Sequence, residues 1–284
     1  MVHVMTVLNS PAGRRLIRLP VAPKANSRIR FAPLQQPAPQ ALTPSEALRL
    51  VEATAVGADC RIELAGPGDP LVTADHAIAT LDALVARHPL ARLSLATLGI
   101  GGNRLAKVLQ KAGLAEIRLQ VNAVAPSCLE KIYAWIRPGL KTLALPEATR
   151  ILVEEQRQTV IAGKEAGLTV TIVTTVFPGY NSDHLEDIAR AMAALDADGM
   201  VLVPFQAEDH GNDIVLPAVD PAWLADAGRL ADCFAILAAS AGETPQQQLA
   251  RVGITVMLGH DNIEGTVDAL YGGGKTGKSG RKSG

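Results

Sequence analysis

Few side chains in this chain have the types and spacing that covalent, redox or metal chemistry requires. The three cysteines, Cys60, Cys128 and Cys233, are too few and too scattered for a disulfide framework. Glu208, Asp209, His210 and Asp213 bring carboxylates and an imidazole together, a weak candidate set for a hard metal ion. An ordinary surface loop explains the same four residues. Asp183 and His184 suggest no catalytic triad, because no serine on a sharp strand-to-helix elbow accompanies them. His76, His88 and His184 fall at helix starts or ends and are expected at the surface. The tail from Gly272 to Ser279 matches a phosphate-loop pattern. That pattern needs a preceding strand and a following helix, and too few residues follow for a helix dipole to cradle phosphate.

The elements that must position such residues alternate in type. Strands are predicted at Ile17–Val21, Arg61–Leu64, Leu93–Thr97, Ile117–Val121, Thr169–Val176 and Met200–Val203. Helices are predicted from Thr43-Pro44-Ser45-Glu46 onward and over Asp75–Arg87, Asn103–Lys111, Ser127–Trp135, Glu147–Ala166, Leu185–Leu195 and Ala222–Ala239. Thr43 suits an N-cap, Pro44 the first helical position, and Glu46 closes a capping box. Ala22 to Leu42, rich in Pro and Gln, reads as a loop. About six βα units follow, with strands apolar enough for a parallel sheet covered by helices. The architecture is then an open doubly wound sheet or a full or partial (β/α) barrel. In either, ligands sit at the carboxyl ends of the strands.

Composition narrows the function classes. Hydrophobic residues at 48% and charged residues at 19% supply a large core and exclude an intrinsically disordered chain. Aromatics at 3% argue against a stacking platform for single-stranded nucleic acid. A net charge of -1 exerts no global pull toward nucleic acid or an anionic membrane. No continuous apolar stretch is long enough to span a bilayer, and Met1 to Arg15 carries no apolar leader core. A reduced, cytoplasmic protein is expected.

Four segments, in order, carry a resemblance: Leu19-Pro20-Val21-Ala22-Pro23; Ala65-Gly66-Pro67-Gly68-Asp69-Pro70-Leu71; Asn122-Ala123-Val124 followed by Ile132-Tyr133-Ala134-Trp135; and Pro178-Gly179-Tyr180-Asn181. Together they resemble the nitrogenase cofactor maturase (NifB) family, within the radical S-adenosylmethionine superfamily. The resemblance implies an α/β fold, a parallel-stranded partial (β/α)6 TIM-like barrel of radical-SAM type over residues 16–205. Residues 1–15 would be an N-terminal extension, 206–270 a helical accessory region, and 271–284 a disordered basic tail. It also implies that Gly66, Pro67, Gly68 and Asp69 occupy the place of the motif that holds the amino group of S-adenosylmethionine. Small residues let a ligand approach the backbone, and a carboxylate can accept from an ammonium. Thr97 and Asn122, each following a strand, would add hydrogen bonds. The alternative for this segment is a Gly-Pro turn with Asp69 as a turn residue.

The departure from the family is as informative as the match. The family's CxxxCxxC motif, which holds a [4Fe–4S] cluster, falls here on Ala25, Ile29 and Ala32. The spacing survives and every thiolate is gone, and alkyl side chains have no lone pair for iron. Leu98 likewise stands where the family has a polar residue. Near the C-terminus, a His-Cys-x-x-Cys segment aligns with His260 to Glu264, with Asp261 and Glu264 at the cysteine positions. Lys24, Arg28 and Arg30 populate the emptied loop and could bind an anionic ligand or an acidic partner, or form a solvated loop. The first expectation is a cluster-less, non-catalytic homologue that binds S-adenosylmethionine, a metallocluster precursor or a metallocluster-assembly partner protein. The alternatives are an active radical enzyme of cofactor biosynthesis with unrecognised cluster ligands, and a barrel repurposed for non-radical metal-dependent chemistry.

Overall fold

Alternation within the strands decides which side chains face the helices. The computed structural model describes residues 6–9, 15–31, 40–54, 60–139 and 143–205, and beyond them 214, 216–220, 223–224, 227, 235–238 and 255–258. Its elements are β1 (Thr6–Asn9), β2 (Arg15–Ala22), β3 (Ser27–Ile29), α1 (Pro44–Ala53), β4 (Arg61–Pro67), α2 (Ala74–Arg87), β5 (Arg92–Thr97), α3 (Gly102–Lys111) and β6 (Leu114–Gln120). Then come α4 (Pro126–Ile132), β7 (Tyr133–Ile136), α5 (Leu145–Glu165), β8 (Thr169–Val176), α6 (Leu185–Ala193), β9 (Gly199–Pro204), β10 (Ala235–Ala238) and β11 (Thr255–Leu258).

The principal sheet runs in the order β1-β2-β4-β5-β6-β8-β9-β10-β11. β2, β4, β5, β6, β8 and β9 are parallel neighbours joined through helices. These are the six expected strands, and they form the parallel-stranded partial barrel. Ile17, Leu19, Ile62, Leu64, Leu93, Leu95, Ile117, Leu119, Val170 and Ile172 are buried in one core with Val51, Leu81, Leu84, Leu109 and Val160 from the helices. Such burial brings about 1.5–3 kcal/mol for each large aliphatic side chain. The intervening strand residues face the other way and include buried charges: Glu63 and Glu116 are each 1% exposed.

Those charges form two layers of ion pairs across the strands. Glu63 pairs with Arg18 at 3.0 Å and Arg118 at 2.9 Å. Glu116 pairs with Arg61 at 2.9 Å and Arg92 at 3.4 Å, and accepts a hydrogen bond from Thr171 at 2.9 Å. Each buried carboxylate is thereby matched, as burial of charge demands.

The capping box at α1 forms as predicted: Glu46 N–H donates to Thr43 Oγ1 at 3.3 Å, and Thr43 N–H donates to Glu46 Oε2 at 2.8 Å. Four expectations need correction. The helix expected over Ser127–Trp135 stops at Ile132, and Tyr133–Ile136 pairs antiparallel with β3 inside the presumed loop. β-branched and aromatic residues suit that extended edge better than another helical turn. Residues 6–9 of the opening segment pair with β2. The helix expected over Ala222–Ala239 contains a strand, Ala235–Ala238, parallel to β9 and β11. Within the region expected to be a helical accessory, the described residues 235–238 and 255–258 add to the sheet. His76, His88 and His184 are half-buried rather than at the surface; His76 Nε2 lies 2.8 Å from Leu42 O, tying the chain before α1 to α2. Among the described residues no helix is long and apolar enough to cross a membrane.

Candidate functional site

The carboxyl ends of β2, β4, β5 and β6 bring the expected ligand residues together, but turn their side chains inward. Asp69 is 5% exposed. One of its oxygens accepts from Leu71 N–H at 2.9 Å and the other from Leu98 N–H at 2.7 Å. Thr97 Oγ1 also donates to this carboxylate, 2.8 Å from one oxygen and 3.0 Å from the other. Thr97 Oγ1 in turn accepts from Gly99 N–H at 3.0 Å. Burial raises the Asp69 carboxyl above its ordinary range, and the hydrogen bonds from Leu98, Leu71 and Thr97 draw it back. Asp69 therefore buckles the ends of β4 and β5 and caps the short 3-10 turn at Pro70–Thr73. This is the turn role weighed against ligand binding.

Gly68 explains the sequence choice beside it. A Cβ there would lie 2.1 Å from the carbonyl oxygen of Lys24. Gly68 N–H donates to Ala22 O at 2.7 Å, and Asp69 N–H to Lys24 O at 2.9 Å. Only the absence of a side chain lets the β2–β3 loop lie this close. The backbone of Gly66, Pro67 and Gly68 stays half-buried to exposed.

Asn122 is fully buried. Its Nδ2 donates to the Tyr133 hydroxyl at 3.1 Å, and its Oδ1 accepts from Thr175 N–H at 3.0 Å. Asn181, from the Pro-Gly-Tyr-Asn segment, donates to Asn122 O and to Thr175 O, each at 2.8 Å. Asn181 Oδ1 accepts from Phe177 N–H at 2.7 Å. Burial pushes the Tyr133 hydroxyl well up, so it stays protonated. Asn122, Tyr133 and Asn181 thus stitch together the segments after β6 and β8. The last two were singled out in sequence only as motif letters.

A second core covers this end of the barrel. Phe31, Leu98, Ile100, Ala123, Leu129, Tyr133 and Phe177 are buried within it. The Phe31 ring lies 5.2 Å from Phe177, 4.8 Å from Tyr180 and 5.8 Å from Phe205. Phe31 belongs to the loop that carries Ala25 and Ile29. Arg30 fixes the same loop, its N–H donating to Ile132 O at 2.8 Å and its guanidinium Nε to Tyr133 O at 3.1 Å. Aromatic side chains are few in this sequence, so their convergence on one loop was not legible from composition.

A sequence profile for the radical SAM superfamily matches residues 25–192. The chain belongs to the radical SAM superfamily. Relatives described as FeMo cofactor biosynthesis protein NifB match as well. That of Chlorobaculum tepidum is 27% identical over 216 residues, 72% of this chain and 51% of the relative. That of Azotobacter vinelandii is 28% identical over 178 residues, 61% of this chain and 35% of the relative. The chain thus spans about half the length of the first of these relatives, or less. Solved structures agree on the fold. Methylornithine synthase (PylB) superposes with a TM-score of 0.60 at 13% identity, covering 87% of this chain and 72% of that one. The FeFe-hydrogenase maturase HydG from Carboxydothermus hydrogenoformans does so with 0.62 at 13% identity, over 86% and 58%.

Radical SAM membership implies S-adenosylmethionine as ligand, and the family resemblance implies a [4Fe–4S] cluster. The residues at the cluster loop of this radical SAM chain do not fit such a cluster. Ala25 is exposed and Ile29 is half-buried on β3, while Ala32 lies outside the described residues. Among the described residues no three His, Cys, Asp or Glu side chains gather where they could hold a metal ion. Cys60 is buried at the amino end of β4, away from this face. Cys128 is buried beneath the loop, its Sγ 3.2 Å from Tyr180 O, and burial raises its thiol. One protonated thiol cannot replace three thiolates. Glu208, Asp209, His210, Asp213, Cys233 and the segment 260–264 lie outside the described residues, as does the tail.

Proposed function

We propose that this radical SAM protein is a non-catalytic, cluster-less relative of the NifB maturases that serves metallocluster assembly by binding a partner protein. The observation that carries this reading is the donor set of the segment 25–32: Ala25 and Ile29 hold two of the three cluster positions, and Ala32 the third. A cubane needs thiolate ligands, and the electron it supplies starts the radical reaction. Protein contacts through Phe31, Arg30 and Gly68 hold this segment. Asp69, Thr97 and Asn122 spend their hydrogen bonds on the protein itself. S-adenosylmethionine would therefore meet the backbone edge of Gly66 to Gly68 rather than these three side chains.

Anaerobic reconstitution with iron and sulfide, followed by S-adenosylmethionine and a reductant, tests the reading. The expected result is iron well below one cubane per chain and no release of 5′-deoxyadenosine. A stoichiometric cluster together with deoxyadenosine would restore the active-enzyme alternative.

A further inference from the structure

Among the described residues three carboxylic side chains are buried, and they are matched differently. Glu63 and Glu116 each take two arginines. Asp69, 5% exposed, takes none. Its partners are the Leu71 and Leu98 N–H groups, the Thr97 hydroxyl and the Asn26 side chain, all of them neutral. The elements packed around it supply no counter-charge. The Pro70–Thr73 turn and residues 97–99 carry no charged side chain. Lys24 meets Asp69 N–H through its main-chain carbonyl, and the residue is itself exposed. From β7 the titratable neighbour is Tyr133, a hydroxyl that burial keeps protonated and that the Asp69 charge raises further. A carboxyl buried without a cation is driven toward its neutral form, and Asp69 is raised accordingly.

Immediately before Asp69, the backbone of Gly66, Pro67 and Gly68 stays half-buried to exposed. Pro67 has no N–H, and the N–H groups of Gly68 and Asp69 are spent on Ala22 O and Lys24 O. This edge is therefore poor in donors for an anion. A positive charge seated on it lies against the poorly polarisable interior that contains Asp69 and favours the ionised carboxylate. S-adenosylmethionine, the ligand that superfamily membership implies, carries an ammonium and a sulfonium. The geometry points to Asp69 as the buried counter-charge for this cationic ligand on the Gly66–Gly68 edge, with ligand binding coupled to release of the Asp69 proton to solvent. Asp69 is then a positioning residue. Its oxygens stay on Leu71, Leu98 and Thr97, and it acts on the ligand through charge. While Asp69 is protonated the ligand binds weakly. Affinity climbs as pH rises through the titration of this group and levels off above it. The inference deepens the ligand side of the proposed function and rests on the cluster-less reading.

Calorimetry with S-adenosylmethionine in pairs of buffers of different ionisation heat counts the proton. The range from about pH 5.5 to about pH 7 lies below the titration of an α-amino group at about 7.7–8.0. Across it the affinity should rise about tenfold, with part of a proton passing to the buffer per ligand bound. 5′-Methylthioadenosine, the same nucleoside without a positive charge, should bind with a flat pH profile and no proton release. Asp69→Asn, neutral at every pH, should hold the weaker low-pH affinity throughout. Should that variant fail to fold, the contrast between the two ligands on the wild type decides. Three outcomes overturn the proposal: a flat profile for S-adenosylmethionine, equal release with methylthioadenosine, or release that persists in Asp69→Asn. Absence of binding by S-adenosylmethionine overturns it as well. Iron per chain and deoxyadenosine formation are measured on the same sample. Their appearance sinks the cluster-less reading, whereas a flat profile in an iron-free sample sinks this inference alone.

Discussion

Asp69 shows how one carboxylate in a ligand motif becomes a structural fastening. Its two oxygens serve two backbone N–H groups and one hydroxyl, all from the strand ends it joins. Because burial raises its carboxyl, the native state holds the proton more tightly than the unfolded chain does. Its contribution to stability is then complete below the ordinary value of 3.8 and is lost as pH rises through the displaced one. Urea unfolding of the wild type and Asp69→Asn from about pH 4 to about pH 7 should show the wild type's advantage narrowing as pH increases. An advantage that widens with pH would mean that the hydrogen bonds outweigh burial. Gly68 makes a sharper case. Gly68→Ala drives a methyl into the Lys24 carbonyl, so the loop must lift. Hydrogen exchange of the amides from 24 to 31 should accelerate while that of β5 stays unchanged.

At the scale of elements, the strands carry charge where a barrel of this kind could have been filled with aliphatics. Arg61 and Arg118 are 9% and 7% exposed, and each depends on a glutamate from the next-but-one strand. Removing Glu116 leaves Arg61 and Arg92 facing each other and deprives Thr171 of its acceptor. Glu116→Gln should cost about 3–5 kcal/mol, the range for stranding a buried charge, read as a lower denaturant midpoint. Glu63→Gln should behave similarly through Arg18 and Arg118. A loss below about 1 kcal/mol would place these pairs in effective contact with water. The aromatic group over the barrel mouth acts on the same scale, joining the segment after β3 to the segments after β8 and β9.

For the molecule as a whole, the described residues form two hydrophobic cores. The sheet and helices enclose one, and the loops after the strands enclose the other. A group that binds only the native state raises its stability by mass action. On the proposed cluster-less reading, thermal melts with iron and sulfide, against melts with a chelator, should therefore agree within about a degree. A clear rise with iron would reveal a centre that the folded chain does hold.

The sequence by itself determined the six parallel strands and the order of the helices, and put Ala25, Ile29 and Ala32 where the family resemblance expects thiolates. Periodicity and ligand chemistry are local properties, so they can be read residue by residue. The α1 capping box was legible for the same reason. Only the tertiary structure decided that Asp69, Thr97 and Asn122 bond inward, because a polar group's partner is set by whichever donor burial brings near. Long-range pairing likewise turned the end of the expected Ser127–Trp135 helix into β7, against the unforeseen β3. The hydrogen bond from Arg30 to Tyr133 O exists only once that pairing joins residues more than a hundred positions apart.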